Sequence, residues 1–410
     1  MKITSRAAAA AASFTAGAML LTGCAAQDKP APSVDGVSIE LWIGDRITQA
    51  GMDATREIAA DWEAETGNTV EIVDNSFFEL MNKIPVAVPA GEGPDAFLLT
   101  NNYVGQFVSQ NLIAPVAISD DERAQFVDGA VDSFSLDGET YGVPLVADVQ
   151  ALVYNKALLP EVPETFDELV ETAAAMNDGS TYGLLFPIDQ FWSSFAFLAA
   201  EGGYIFGESD GAVDVTDLGL DSAGSVAGLE YLVSLINDTK LMPADTTAEV
   251  AQGMFSAGKA AAIIEGPAAV ANFEAAGIEV GVAPIPVLAS GNGPAPFATY
   301  TGLAMSVETD EAEATQSLLS YLGANLPAAL QEASNGNISA LAGADTVGND
   351  QLAGWTAQLA QSYPLPTVPE MNLVWGPAIA AFTQAIHGQA TAADALAEAQ
   401  KAIADAIAAQ

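Results

Sequence analysis

The sequence has 410 residues, of which 53 are acidic and 11 are basic, so its formal charge at neutral pH is −42. A surface this acidic repels phosphate backbones, which excludes nucleic acid as a partner and disfavours phosphorylated ligands. A chain of this length is too long for one compact core, so we expect at least two lobes.

The N-terminus has the pattern of an export signal. Lys2 and Arg6 precede residues 7–22, which carry no charge and end in small residues. A basic start, a short apolar run and small residues before a cleavage point predict a secretory signal peptide over residues 1–23, since the run is short for a stable membrane span. Its removal leaves 9 basic against 53 acidic residues, a formal charge of −44.

The signal segment is followed by Cys24, the only cysteine. A lone thiol in an exported protein cannot form an internal disulfide, so its position needs another explanation. Residues 21–24 read LTGC, which resembles the lipobox of bacterial lipoproteins and predicts lipidation of Cys24. Two acyl chains there would give durable membrane attachment. Residues 24–36 are polar and proline-containing, and we expect them to form a flexible tether.

Folded structure is expected from Val37, and its first elements follow a β-α-β pattern. Residues 37–43 alternate between apolar and other side chains, which predicts a strand. A helix follows with Ile58 and Trp62 on one face, and residues 66–68 (TGN) should end it. Residues 70–73 then predict a second strand. This order favours a parallel or mixed sheet flanked by helices.

The alternation of strands and helices continues along the chain. Residues 94–99 predict a strand that enters a loop at residues 100–103. Residues 165–168 (TFDE) form a capping box that should open a helix extending to Met176. Trp42 lies in the first predicted strand, so we expect it, like Trp62 in the first helix, to be a core residue.

The last predicted helix opens with Thr391 and Asp394, a second capping pair. Its apolar stripe consists of Leu396, Ala399, Ile403 and Ile407. His387 is the only histidine, and the following Gly388 is typical of the residue after a helix. We therefore expect His387 to be a surface residue at a helix C-terminus, where a positive charge is favourable.

Several short stretches agree in order and spacing with family 1 extracellular solute-binding proteins of ABC importers. Residues 142–145 (GVPL) and 151–160 (ALVYNKALLP) resemble the segment of that family that crosses between two lobes. The other matching stretches are residues 93–95 (GPD), 199–204 (AAEGGY), 255–259 (FSAGK), 265–267 (EGP), 369–372 (PEMN) and Trp375. Together they extend over nearly all of the chain after Val37.

The resemblance implies an α/β, two-lobed periplasmic-binding-protein-like fold of type II, in which discontinuous lobes enclose an interlobe ligand cleft. Carried over, lobe 1 is residues 37–146 and 303–343, and lobe 2 is residues 147–302 and 344–410. The cleft is expected to close by hinge bending when a ligand bridges the lobes. A binding protein of this kind needs no cofactor or metal and catalyses no reaction.

The implied function is binding of maltose, maltodextrin or a related oligosaccharide and its delivery to ABC permease subunits. We expect a monomer outside the cytoplasm, attached to the cell membrane only through lipidated Cys24. Sugars present hydroxyls and weakly apolar ring faces, so their receptors need carboxylates or amides together with aromatic platforms. The positions that match sugar contacts of the family are Asp45, Arg46, Glu79, Asn102, Tyr103, Asp148, Gln190, Trp192 and Trp375.

Two positions depart from the maltodextrin-binding members of this family. Leu99 and Ala268 stand where those members have further tryptophans. The departure implies either a different binding geometry for the same glucan or selection of another glycan. We therefore expect an oligosaccharide, with maltodextrin as the leading candidate.

Other functions stay open from the residues alone. The many acidic residues permit a two-carboxylate glycosidase, and a carboxylate-rich cleft would also suit a peptide or a polyamine. A histidine-containing triad or a multi-histidine metal site would depend on His387. Neither a P-loop nor a dinucleotide-binding glycine fingerprint is present.

Overall fold

The computed structural model describes residues 36–409 except 210–211, 335–336, 344–345 and 347. The predicted signal peptide, lipidation site and tether therefore lie outside the described residues, apart from Gly36. Within the described chain, no helix is both long and apolar enough to cross a membrane. The α-helices are α1 (Gln49–Thr66), α2 (Phe77–Ala87), α3 (Val104–Ser109), α4 (Asp120–Arg123), α5 (Phe166–Met176), α6 (Phe191–Ala200), α7 (Ala223–Asn237), α8 (Ala248–Ser256), α9 (Val270–Ala275), α10 (Ala312–Ala333), α11 (Asp350–Leu359), α12 (Met371–Ile386) and α13 (Ala392–Ile407).

The strands form two main sheets and two short hairpins. Those of the first sheet are β1 (Ser38–Gly44), β2 (Thr69–Asn75), β3 (Ala96–Thr100), β4 (Ile113–Ala114), β7 (Val143–Val149), β14 (Phe297–Ser306), β15 (Ile338–Ser339) and β16 (Tyr363–Pro364). Those of the second sheet are β8 (Ala151–Asn155), β9 (Tyr182–Leu185), β12 (Ala260–Glu265) and β13 (Val280–Ala283). The hairpins are β5 (Ser135–Leu136) with β6 (Glu139–Thr140), and β10 (Phe206–Ser209) with β11 (Ala212–Leu218).

The first sheet has the order β15-β7-β14-β3-β1-β2, with β4 and β16 also paired to β14. Strands β1, β2 and β3 are parallel, whereas β14 runs antiparallel to β3 and β7. The opening β-α-β unit predicted from the sequence is therefore present. A mixed sheet of this kind places the ends of β1 and β3 at one edge, where the following loops can meet.

Between β7 and β8, the chain passes from the first sheet to the second through a single residue. Strand β7 ends at Val149 in the first sheet, and β8 begins at Ala151 in the second, so Gln150 alone joins them. Strand β8 then pairs antiparallel with β12 and β13. This change of sheet lies inside the segment that the sequence predicts to cross between lobes.

Local sequence signals account for the helix boundaries. Gly67 has a φ of 79° and ends α1, a left-handed conformation that glycine adopts without steric cost. At α5, Thr165 and Glu168 make both bonds of the predicted capping box. The hydroxyl of Thr391 likewise accepts a hydrogen bond from the Asp394 amide at the start of α13. These predictions of helix ends are confirmed.

The tryptophans predicted to be structural are buried. Trp42 is 4% exposed and Trp62 is 1% exposed. The indole of Trp62 donates a hydrogen bond of 3.2 Å to the hydroxyl of Ser317, which joins α1 to α10. The indole of Trp42 donates to Glu40 at 2.6 Å. Both rings therefore stabilise the packing of the first sheet and its neighbouring helices. The predicted sugar platforms are two other tryptophans, Trp192 and Trp375.

Candidate functional site

Asp45 and Arg46 lie in the turn after β1 and are exposed. The Asp45 carboxylate accepts a hydrogen bond of 2.9 Å from the amide of Phe77, the first residue of α2. The Arg46 guanidinium lies 4.8 Å from the centre of the Phe77 ring. One oxygen of Asp45 thus satisfies an amide that would lack a partner within the helix, while Arg46 is held over an aromatic ring.

Asn102 and Tyr103 follow β3 in a short 3-10 helix, Asn101–Tyr103. The ring of Tyr103 is 6.1 Å from that of Phe77, which brings it to the same group as Asp45 and Arg46. Asn102 is exposed, and its side-chain oxygen accepts a hydrogen bond of 2.7 Å from the Thr100 hydroxyl. The ends of β1 and β3 therefore meet around Phe77.

Glu79 lies in the first turn of α2 and is exposed. Among the described residues, no hydrogen bond or ion pair joins its carboxylate to the other predicted site residues. The structure therefore places Glu79 on the same helix as Phe77 without a contact to the group. Its role as a sugar contact stays a prediction.

Asp148 lies on β7 and is half-buried. Burial is the largest influence on its carboxyl and raises its pKa; Glu265 adds to the rise, whereas the positive charge of Arg46 opposes it. Arg46 follows β1 of the first sheet and Glu265 ends β12 of the second. Asp148 therefore lies in a charged group that includes side chains from both sheets.

Glu265 was not among the residues that sequence reasoning assigned to the site, although its segment 265–267 carried the family resemblance. One of its oxygens accepts from Gln252 at 2.8 Å and the other from the Gly266 amide at 2.9 Å, so the carboxylate is held in place. A Cβ at Gly266 would lie 3.3 Å from an oxygen of Asp148. The glycine thus permits a close approach of β7 to the end of β12.

Trp192 and Trp375 meet in an aromatic cluster. Their ring centres are 6.0 Å apart, and both rings lie within 6 Å of Phe297, at 5.4 Å and 5.9 Å. Both tryptophans are half-buried, whereas Phe191 and Phe297 beneath them are fully buried. Each indole is therefore supported from below and keeps an accessible edge or face, as a sugar platform requires.

Gln190 is the residue before α6 and is exposed; its side-chain amide donates to Asp189 at 3.1 Å. Asp189 also lies 3.3 Å from Nε2 of His387. His387 caps the C-terminus of α12, which carries Trp375, and Gly388 follows with a φ of 68°. The expected helix-end position of His387 is confirmed, and its contact with Asp189 joins the segments that carry the two tryptophans.

The strand pair β7–β14 connects the charged and aromatic groups. In its register Asp148 lies opposite Thr299. Because side chains alternate between faces along a strand, Phe297 and Thr299 share the face of the sheet on which Asp148 lies. The aromatic cluster packs on Phe297, so the tryptophans and Asp148 belong to the same face. Asp45, Arg46 and Tyr103 therefore meet around Phe77, Arg46 acts on Asp148, and Trp192 and Trp375 pack on the face of the sheet that carries Asp148. Gln190 directly precedes the helix that carries Trp192.

The opposite face of these strands borders a different cavity, of about 720 Å³. Ala298 and Tyr300 contribute to its walls, and none of the nine predicted sugar contacts does. Ala298 and Tyr300 alternate with Thr299, so this cavity lies on the other side of the sheet from Asp148. It is separate from the candidate site.

The described residues contain no group of three or more histidine, cysteine, aspartate or glutamate side chains arranged to hold a metal ion. The candidate site instead combines supported aromatic rings with carboxylates, amides and a guanidinium. Such a surface can bind a neutral polyhydroxylated ligand by stacking and hydrogen bonding.

The fold defines the class of this protein: two α/β lobes joined by crossing strands, as in periplasmic binding proteins. A solved cyclo/maltodextrin-binding protein in complex with maltotetraose superposes with a TM-score of 0.84 and 30% sequence identity, covering 90% of this chain and 97% of that one. The family model of bacterial extracellular solute-binding proteins matches residues 57–346. The chain belongs to that family.

Two relatives are similar to this chain over most of their length. The maltodextrin-binding protein MdxE of Bacillus subtilis is 33% identical over 378 residues, covering 89% of this chain and 88% of that protein. The galactooligosaccharide-binding protein of the same organism is 29% identical over 352 residues, covering 83% of each chain. The predicted family and fold class are confirmed.

Proposed function

We propose that this protein is the oligosaccharide receptor of a carbohydrate ABC importer and that it binds maltodextrin or a closely related glycan between its lobes. The observation that carries the proposal is the shared face of β7 and β14. Two supported tryptophans pack on that face, which also carries a carboxylate that interacts with charges from both sheets. The similarity to maltodextrin-binding and galactooligosaccharide-binding relatives supports a sugar ligand.

The proposed roles follow from the chemistry of the side chains. Trp192 and Trp375 provide ring faces for the apolar side of pyranose rings. Arg46 and Asp148 bind sugar hydroxyls through hydrogen bonds that an ionised group strengthens. Asn102 and Gln190 add amides that both donate and accept. Asp45, Glu79 and Tyr103 complete the proposed set of contacts.

Ligand recognition is proposed to close the two lobes. Lobe 1 comprises residues 37–146 and 303–343, and lobe 2 comprises residues 147–302 and 344–410. A ligand that contacts both lobes stabilises the closed form relative to the open one, and the importer reads that shift in population. The change of sheet at Gln150 supports a hinge in this region.

Leu99 and Ala268 limit the choice of sugar geometry. Leu99 is fully buried in β3, and Ala268 is exposed but carries only a methyl group. Neither can offer a ring face to a ligand. The binding mode is therefore proposed to depend more heavily on Trp192 and Trp375 than in a receptor with four tryptophan platforms.

The proposal includes the location and partners of the protein. The signal peptide directs export, and lipidation of Cys24 holds the monomer at the outer face of the cell membrane, where it delivers sugar to the permease. The acidic surface is consistent with a soluble receptor that avoids nucleic acid. The site is proposed to bind without catalysis, because its aromatic floor and fixed carboxylates serve recognition.

A thermal-unfolding screen of the mature protein tests the ligand class. The panel contains maltodextrins, galactooligosaccharides, short peptides and polyamines. A true ligand at 100 times its dissociation constant adds about 2.7 kcal/mol to the free energy of unfolding. Stabilisation by an oligosaccharide that is recovered intact supports the proposal. Stabilisation by peptides or polyamines alone, or shortening of the sugar, would refute it.

A further inference from the structure

Phe78 is an exposed aromatic residue in the first turn of α2, and it does not belong to the face of the helix that packs on the core. The buried side of this helix consists of Phe77, Leu80, Met81, Ile84 and Ala87. Their spacing of three and four residues defines one face directed at the core. Phe78 lies outside that face and is 69% exposed. Single exposed apolar residues are common, so exposure alone assigns no role.

Phe78 lies next to the group of predicted sugar contacts that surrounds Phe77. Its ring contacts Phe77 edge to face at 5.8 Å. Arg46 covers the ring of Phe77, and Tyr103 contacts the same ring at 6.1 Å. Arg46 in turn acts electrostatically on Asp148. Phe78 is thus the exposed end of an aromatic pair whose other member supports the polar residues after β1 and β3.

Phe77 also fixes the position of its neighbour. The Phe77 amide donates to Asp45 at 2.9 Å, and its side chain is only 2% exposed. The first turn of α2 is therefore held to the turn after β1. An aromatic side chain has few rotatable bonds, so a ring on this rigid base binds a partner at low cost in conformational entropy.

We propose that Phe78 is an additional sugar-stacking platform that extends the binding site along α2. The inference rests on the proposed function, since it requires an oligosaccharide at Arg46 and Asp148. A short sugar can occupy the tryptophans alone, whereas a longer one also reaches the first turn of α2. Phe78 accordingly selects for chain length, with its ring face against an outer pyranose of the ligand.

The test compares Phe78→Ala with Val86→Ala by calorimetric titration with maltose, maltotriose and maltotetraose. Val86 is the matched control because it is an apolar residue on the same helix and is 72% exposed. Phe78→Ala is expected to weaken maltotetraose binding roughly tenfold, on the scale of aromatic contacts in binding sites, and maltose binding less. Val86→Ala should leave all three affinities unchanged.

A third variant, Phe78→Trp, separates a stacking role from a structural one, because it keeps a ring face and should retain affinity for maltotetraose. Loss of affinity in Phe78→Trp equal to that in Phe78→Ala would overturn the proposal, as would a Phe78→Ala protein indistinguishable from Val86→Ala. If the wild-type protein binds these glucans, either of these results refutes the role of Phe78 but leaves the proposed function intact. A wild-type protein that binds no oligosaccharide refutes the proposed function itself.

Discussion

Truncation of Trp375 to alanine is expected to weaken oligosaccharide binding by up to about 2 kcal/mol. The ring rests on Phe191 and Phe297, with centres 5.7 Å and 5.9 Å away, and is half-buried without ligand. Up to about a third of an indole surface of roughly 250 Å² is then open, which is about 80 Å². At about 25 cal/mol per Å², burial of all of this area by a sugar would contribute up to about 2 kcal/mol, or roughly thirtyfold in affinity.

Calorimetric titration measures this loss, and Trp375→Phe is the matched variant because it keeps a smaller ring face. The fold of Trp375→Ala should persist, since Phe191 also packs on Phe195 and Phe382, at 5.3 Å and 5.4 Å. Circular dichroism checks that point. An affinity equal to wild type in a folded Trp375→Ala protein would refute the stacking platform and leave the sugar assignment dependent on similarity alone.

Four further outcomes are expected. Cys24→Ser should move the protein from the membrane fraction to the soluble fraction of its host, and a wild-type protein that is already wholly soluble would contradict lipid anchoring. Saturating sugar should reduce the radius of gyration in solution scattering, and an unchanged curve would count against closure though not against binding. Asp148→Asn should raise the free energy of unfolding at neutral pH, because burial disfavours the charged carboxylate of the wild type. As the pH falls through the raised pKa of Asp148 toward 3.8, the wild-type carboxylate becomes protonated and the difference in stability between the two proteins should vanish. Parallel profiles of stability against pH would contradict this prediction. The same variant should bind sugar more tightly than Trp375→Ala, since an amide still pairs with neutral hydroxyls.

The sequence predicted those parts of the fold that local periodicity and caps determine. The strand around Trp42, the helix face of Trp62 and the capping box at Thr165 depend on neighbours within a few residues, and all are present. The order of short stretches along the chain also identified the family and the segment that passes between sheets. Periodicity, helix caps and the order of family-like stretches are sufficient to predict these features from the sequence.

The remaining features depend on contacts between distant parts of the chain. The hydrogen bond from the Phe77 amide to Asp45 and the closeness of Asp148 to Gly266 arise only when strands and loops assemble. The run of two phenylalanines at residues 77–78 gives no indication that the first is buried and the second exposed. The sequence assigns no role to the Glu265 carboxylate, because its neighbours Gln252 and Asp148 approach it only in the folded protein.

A crystal structure of the mature protein with maltotriose tests the central claim most directly. We expect glucose rings against Trp192 and Trp375 and sugar hydroxyls within hydrogen-bond distance of Arg46 and Asp148. Maltotriose bound instead in the cavity of about 720 Å³ beside Tyr300, on the opposite face of β14, would contradict the account.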